Sequence, residues 1–230
     1  MKANQTVFHI LDLDRTLLDT SKLARTLKDL IARKDPSLAE AITAEAARHK
    51  QEKTSFFIFE YIAGHIGHDA LNEYVHQLNY SVPASELLLP GASERIAFAK
   101  SQPGWSVGIL TYGSKRDQMI KLKLAGLHLE RHLITDSPKK GDIITSWKLP
   151  NGKFKLPIEF GGHSVDCITL DDDKLVAFEN LPDDVYGQWV THATIGGTVE
   201  MQKLLPNVRA VATLEESIQY LKQHLSTTVK

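Results

Sequence analysis

The spacing of apolar positions changes character along the chain. Val7-Phe8-His9-Ile10-Leu11 is a short β-branched and aromatic run that ends abruptly at Asp12-Leu13-Asp14, the pattern of a strand that delivers acidic residues at its carboxyl end. From Asp19 to about Leu88 the spacing is helical. Leu23, Leu27, Leu30 and Ile31 follow candidate caps Thr20 and Ser21, and Ser37 with Glu40 forms a capping-box pattern for a second helix. A third helix is expected after Thr54 or Ser55, through Phe56, Phe57, Ile58, Phe59, Tyr61 and Ile62. A fourth is expected after Asp69, through Leu71, Tyr74, Val75 and Leu78. No strand is predicted in this block.

Beyond Pro90-Gly91 strands and helices alternate. The pattern predicts a helix around Ile96 to Ala99, a strand from Trp105 to Leu110, and a helix from Ser114 to Leu124 stopped by Gly126. Further strands are expected at His132 to Thr135, Cys167 to Leu170 and Val208 to Ala212. Thr213 with Glu216 opens a terminal helix through Leu214, Ile218, Leu221 and Leu225. Such alternation predicts an α/β fold with a parallel sheet covered by helices. Between Trp147 and Val165, the punctuation by Pro150, Asn151-Gly152, Pro157 and Gly161-Gly162 fits a hairpin or a loop equally well.

Composition narrows the function. The chain has 230 residues, 42% of them hydrophobic, enough for one sizeable core and a smaller accessory unit. Twenty-seven basic against 28 acidic side chains leave a net charge of -1, with no basic run suited to a nucleic-acid backbone. The apolar run near the start is too short for a membrane span or signal peptide, so a cytoplasmic protein is expected. The single cysteine, Cys167, sits in an apolar run and reads as a buried thiol.

Chemistry concentrates at the first strand end. In an open α/β sheet the ligand site lies beyond the carboxyl ends of the strands, where Asp12 and Asp14 stand. Residues two apart on an extended chain face the same side, so both carboxylates can meet one small site. Their repulsion calls for a nearby cation or a shared proton, and both serve phosphoryl transfer. By itself an Asp-x-Asp after a strand is equally compatible with a solvated turn.

With its neighbours, Asp12-Leu13-Asp14-Arg15-Thr16-Leu17-Leu18 resembles the first motif, DxDxT, of the haloacid dehalogenase-like hydrolases. The resemblance implies a Rossmann-like core formed by 1–18 and 89–230, with residues 19–88 as an all-helical cap of the C1 type over the sheet edge. It implies Asp12 as nucleophile and metal ligand. Asp14 would be general acid and base, with its backbone carbonyl on the metal, and Thr16 a positioning hydroxyl; Arg15 stands where glycine is commoner. Gly108-Ile109-Leu110-Thr111-Tyr112-Gly113-Ser114 is similar to the second motif, implying Thr111 as donor to phosphate and Tyr112 and Gly113 as substrate contacts. The third motif's lysine is matched by Lys140, which opens the next helix, with Lys139 as the alternative. The fourth, a pair of acids after a strand, is matched by Asp171-Asp172-Asp173, with Asp172 the first candidate for metal and Asp171 the second.

The family resemblance implies a Mg2+-dependent phosphatase acting on a small phosphorylated metabolite, as a monomer or homodimer. A phosphomutase, a dehalogenase and a non-catalytic phosphate sensor remain as alternatives, and Asp14 speaks for phosphate over halide. His65, His68 and His76 lack a third ligand at clear spacing and read as surface histidines. The Phe56 to Tyr61 run reads as helix packing, and Lys50 and Lys53 as a solvated face.

Overall fold

The computed structural model describes residues 5–192 and 204–226. Strands β1 (Val7–Leu11), β2 (Trp105–Tyr112) and β3 (His132–Thr135) are followed by a short antiparallel pair, β4 (Phe154–Lys155) and β5 (Ser164–Val165). Then come β6 (Cys167–Asp172), β7 (Val185–Val190) and β8 (Val208–Val211). The six long strands form one parallel sheet in the order β3-β2-β1-β6-β7-β8. This is the Rossmann-like α/β architecture that the alternation predicts. Strand order reverses between β1 and β6, and the crevice at such a switch point is where open α/β sheets bind ligands.

Both sheet faces are covered, which is why β1 is buried along its whole length. Phe8 and Ile10 point to one face, packing with Leu110, Ile168, Leu170, Phe154 and Phe160 and with Ile144 of α8 (Lys140–Ser146). The undecided 147–165 stretch is therefore a hairpin and a 3-10 turn that supply core aromatics on this face. Leu11 points to the other face, with Val107 and Ile109, against α6 (Ala92–Ala99), α7 (Lys115–Leu124) and α9 (Leu214–Ser226). The apolar pattern does not predict β7, because Gly187 and Gln188 break it; both are nevertheless buried between β6 and β8.

Five helices lie between β1 and α6: α1 (Thr20–Ala32), α2 (Pro36–Gln51), α3 (Ile58–Ile66), α4 (His68–Ser81) and α5 (Ala84–Leu87). Their chain leaves and returns through a zipped neck, with Asp19 N donating to Leu87 O at 2.8 Å and Leu89 N to Leu17 O at 2.8 Å. Apolar burial runs without a break from Leu23, Ile62 and Leu78 of these helices to Leu122, Val107 and Ile109 of the core.

The caps differ from those expected. Asp19, not Thr20 or Ser21, caps α1 by accepting from Lys22 N, and Asp35 rather than Ser37 caps α2 through Leu38 N, with Pro36 in the first turn. Helix α3 has no cap from Thr54 or Ser55. Its first amides instead reach across to α7, where the buried Asp117 carboxylate accepts from Phe59 N at 3.2 Å and Glu60 N at 3.0 Å. A cap supplied from a different element leaves no trace in local spacing. Helix α4 starts at His68 after Gly67, so Asp69 lies in its first turn.

Candidate active site

Parallel register assembles the site. β1 pairs with β6 so that Leu11 lies opposite Asp171, which places the next residues, Asp12 and Asp172, side by side at the switch point. Asp12 N donates to Asp171 O at 2.9 Å, extending the ladder by one step. Lys140, at the start of α8, is buried between the two carboxylates, with Nζ 2.5 Å from Asp12 Oδ1 and 2.5 Å from Asp172 Oδ2. Gly141 lets α8 come this close, since a Cβ there would stand 2.1 Å from Glu179 O. Lys139, the alternative candidate, is exposed and pairs with Glu179.

Charge in this cup is far from its solution state. Burial would lower the Lys140 pKa, but Asp12 and Asp172 outweigh it and push the ammonium up to about 12. Burial raises the pKa of Asp12; Lys140 opposes this, while Asp172, Asp173 and Asp14 add to it. Asp173 is raised by burial and then by Asp172. One lysine is too little positive charge for the group.

Among the described residues one cluster has the donor set for a metal ion: Asp12, Asp172 and Asp173 each offer an oxygen, all within 4.8 Å of one another. Among the described residues both oxygens of Asp173 are buried without a hydrogen-bond donor, although Arg15 Nε lies 3.2 Å from Oδ2. Buried carboxylates in excess of their donors fit a hard divalent cation such as Mg2+. Asp171 is not brought there. Strand alternation turns it to the opposite face, where its carboxylate is fully buried against Arg95 Nε at 2.9 Å and Ser217 Oγ at 2.7 Å. Asp171 is thus corrected from metal candidate to core ion-pair partner, and Asp173 takes its place.

Asp14 is held just outside the cup. Lys121 Nζ of α7 lies 2.9 Å from its Oδ1, Gln118 Nε2 donates to Oδ2 at 2.9 Å, and Thr20 Oγ1 donates to Oδ1 at 2.8 Å. Burial would raise its pKa, but Lys121 and these hydrogen bonds prevail and hold it below the usual carboxylate range. Gly113 makes room for this arrangement: a Cβ there would meet Gln118 Nε2 at 2.4 Å, and its φ is +153°. The side-chain hydroxyls of Thr16 and Thr111 are both fully buried without a partner among the described residues. Tyr112 is partly exposed, its ring facing Lys174 and Phe57. Arg15 has φ +62°, the left-handed conformation that glycine adopts freely, and its carbonyl accepts from His192 Nε2.

Gln118 and Lys121 escape a reading by motif. Their signal is a helix whose buried side is polar, with Asp117, Gln118 and Lys121 in step with Leu122 and Leu124. Buried polar residues at helical spacing need partners, and here Asp117 serves α3 and the other two serve Asp14.

Comparison with solved structures agrees with this fold. A haloacid dehalogenase-like hydrolase from Burkholderia xenovorans superposes with a TM-score of 0.63 at 16% identity, covering 94% of this chain and 98% of that one. The magnesium-bound HAD-hydrolase YfnB from Bacillus subtilis gives 0.54 at 17% identity over 95% and 99% of the two chains. L-2-haloacid dehalogenase from Xanthobacter autotrophicus gives 0.54 at 14% identity over 95% and 99%. No family model matches the sequence, and no curated protein matches it. The chain has the fold of the haloacid dehalogenase-like hydrolases.

Among the described residues no helix is long and apolar enough to cross a membrane.

Proposed function

We propose that this protein is a Mg2+-dependent phosphatase that hydrolyses a small phosphorylated metabolite through an aspartyl-phosphate on Asp12, with residues 19–88 acting as the cap. The observation that carries this reading is the buried convergence of Asp12, Lys140, Asp172 and Asp173, with Asp14 two residues beyond the nucleophile. Asp12, Asp172 and Asp173 would hold the metal. A magnesium ion there supplies charge neutralisation for the phosphate oxygens and for the crowded carboxylates.

The residues then divide the work. An Asp12 oxygen attacks phosphorus, forming the Oδ–P bond as the bond to the ester oxygen breaks, and Lys140 offsets charge between nucleophile and phosphate. The buried hydroxyls of Thr111 and Thr16 are donors in search of an acceptor. Asp14, ionised beside Lys121, is in the form a base needs to take a proton from the water that later breaks the Oδ–P bond. Arrival of the phosphate anion beside Asp14 raises its pKa, so that it carries the proton for the leaving oxygen in the first half. That second-position acid separates this reading from carbon–halogen hydrolysis, which has no leaving alkoxide to protonate.

The test is release of phosphate from p-nitrophenyl phosphate with and without Mg2+, alongside halide release from 2-chloropropionate. Magnesium-dependent phosphate release that vanishes in Asp12→Asn, with the fold retained, is the expected result. Halide release, or phosphate binding without turnover, would displace it.

A further inference from the structure

A cavity of about 470 Å³ lies between helices α1, α2 and α3 of the insertion and Lys121 of α7. Its walls come from Ala24, Ile42, Ala46, Phe56 and Ile58, and its base from Thr20 and Lys121. Thr20 and Lys121 are also two of the groups that hold the Asp14 carboxylate, so cavity and acid share a wall. The cavity is thus one layer of side chains, Thr20 and Lys121, away from the acid that would meet the ester oxygen. The volume is within the range of small-molecule sites, about 300–1,000 Å³.

The lining is chemically one-sided. Apart from two threonines and Ser21, its polar members are the cations Arg25, Lys28 and Lys121. Arg25 and Lys28 are one helical turn apart on α1, and among the described residues neither forms an ion pair, whereas Lys22 on the same helix pairs with Glu86. Among the described residues no carboxylate lines the cavity. An apolar wall bordered by two cations without a carboxylate partner, Arg25 exposed and Lys28 half-buried, suits a ligand with an apolar body and an acid group.

We propose that this cavity takes the leaving group of the substrate, and that the substrate is a phosphate monoester of an apolar alcohol or phenol carrying a second acid group that meets Arg25 and Lys28. The proposal rests on the phosphatase reading for the reaction, but the binding half stands separately. Polyol phosphates, with no apolar body, are the wrong class for it.

Binding and turnover are measured apart. The wild type and Asp12→Asn are titrated with 6-hydroxy-2-naphthoate and with 2-naphthol, followed by naphthol fluorescence. Turnover is compared for 6-carboxy-2-naphthyl phosphate and 2-naphthyl phosphate. The carboxylated compound of each pair should be favoured about two- to fivefold, the scale of one partly exposed ion pair. The Arg25→Gln/Lys28→Gln double variant should erase both preferences, and Ala46→Trp, which fills the cavity, should weaken binding of both naphthols with the unfolding midpoint retained. Equal binding of the two naphthols, or a preference that survives the double variant, overturns the proposal. Naphthoate binding that depends on Arg25 and Lys28 without hydrolysis of either ester keeps the cavity assignment and removes the phosphatase reading. Hydrolysis of both esters without preference does the reverse.

Discussion

Lys121 reaches from α7 to grip Asp14 by both oxygens, Nζ to Oδ1 at 2.9 Å and to Oδ2 at 3.0 Å. The ammonium is almost fully buried, so the pair is screened little by water. Removing one partner leaves a buried charge uncompensated. Lys121→Met should destabilise the protein by about 2 kcal/mol, and adding Asp14→Asn to it should return more than half of that loss. Urea unfolding of the two single variants and the double variant completes the cycle; additive losses would show that the pair is not coupled.

Lys140 and Lys139 are neighbours with opposite surroundings, the first buried between Asp12 and Asp172, the second exposed beside Glu179. Lys140→Met should lower kcat for phosphate release by a factor on the order of 1,000, whereas Lys139→Met should stay within about twofold of wild type. Steady-state kinetics on one aryl phosphate separates the two.

The three consecutive aspartates at the end of β6 should separate stability from metal affinity. Asp171→Asn breaks a fully buried pair with Arg95 and should cost about 3 kcal/mol of stability while leaving the half-saturating Mg2+ concentration near that of wild type. Asp173→Asn removes a buried carboxylate without a hydrogen-bond donor. It should raise that concentration about tenfold with no loss of thermal midpoint. A magnesium titration of activity and a melting curve for each variant supply both readouts.

Far from the site, Asp166 ties the start of β1 to β5 and β6, accepting from Thr6 N at 2.9 Å and Thr6 Oγ1 at 2.8 Å and pairing with Lys153 at 2.8 Å. The Lys153 contact, then the Thr6 donors, push its pKa down to about 2. A depressed folded-state pKa means stability that is complete above the ordinary carboxylate range and lost as pH falls through the folded value. Because the side chain is 29% exposed, screening reduces the effect to about 1 kcal/mol. Asp166→Asn should therefore be less stable than wild type at pH 7, with the gap closing between about pH 4 and pH 2 in urea titrations. A gap that persists unchanged at pH 2 would show that Asp166 acts through packing alone.

Local pattern carried the alternating strands and helices, the helical block after β1 and the acidic strand end, because period and capping residues are encoded within a few positions of one another. His132 to Thr135 was legible to the residue, and Thr213 does cap α9, accepting from Glu216 N. Family resemblance, rather than period, pointed to Thr111 and Lys140. Tertiary structure alone decided which side of β6 each aspartate takes, since one step of register exchanges a buried partner of Arg95 for a member of the acidic cup. It also decided the cap of α3 by Asp117, the grip of Lys121 on Asp14 and the burial of β7. Each depends on groups far apart in sequence, whose meeting is set by sheet order and helix docking, and no window along the chain contains both ends of such a contact.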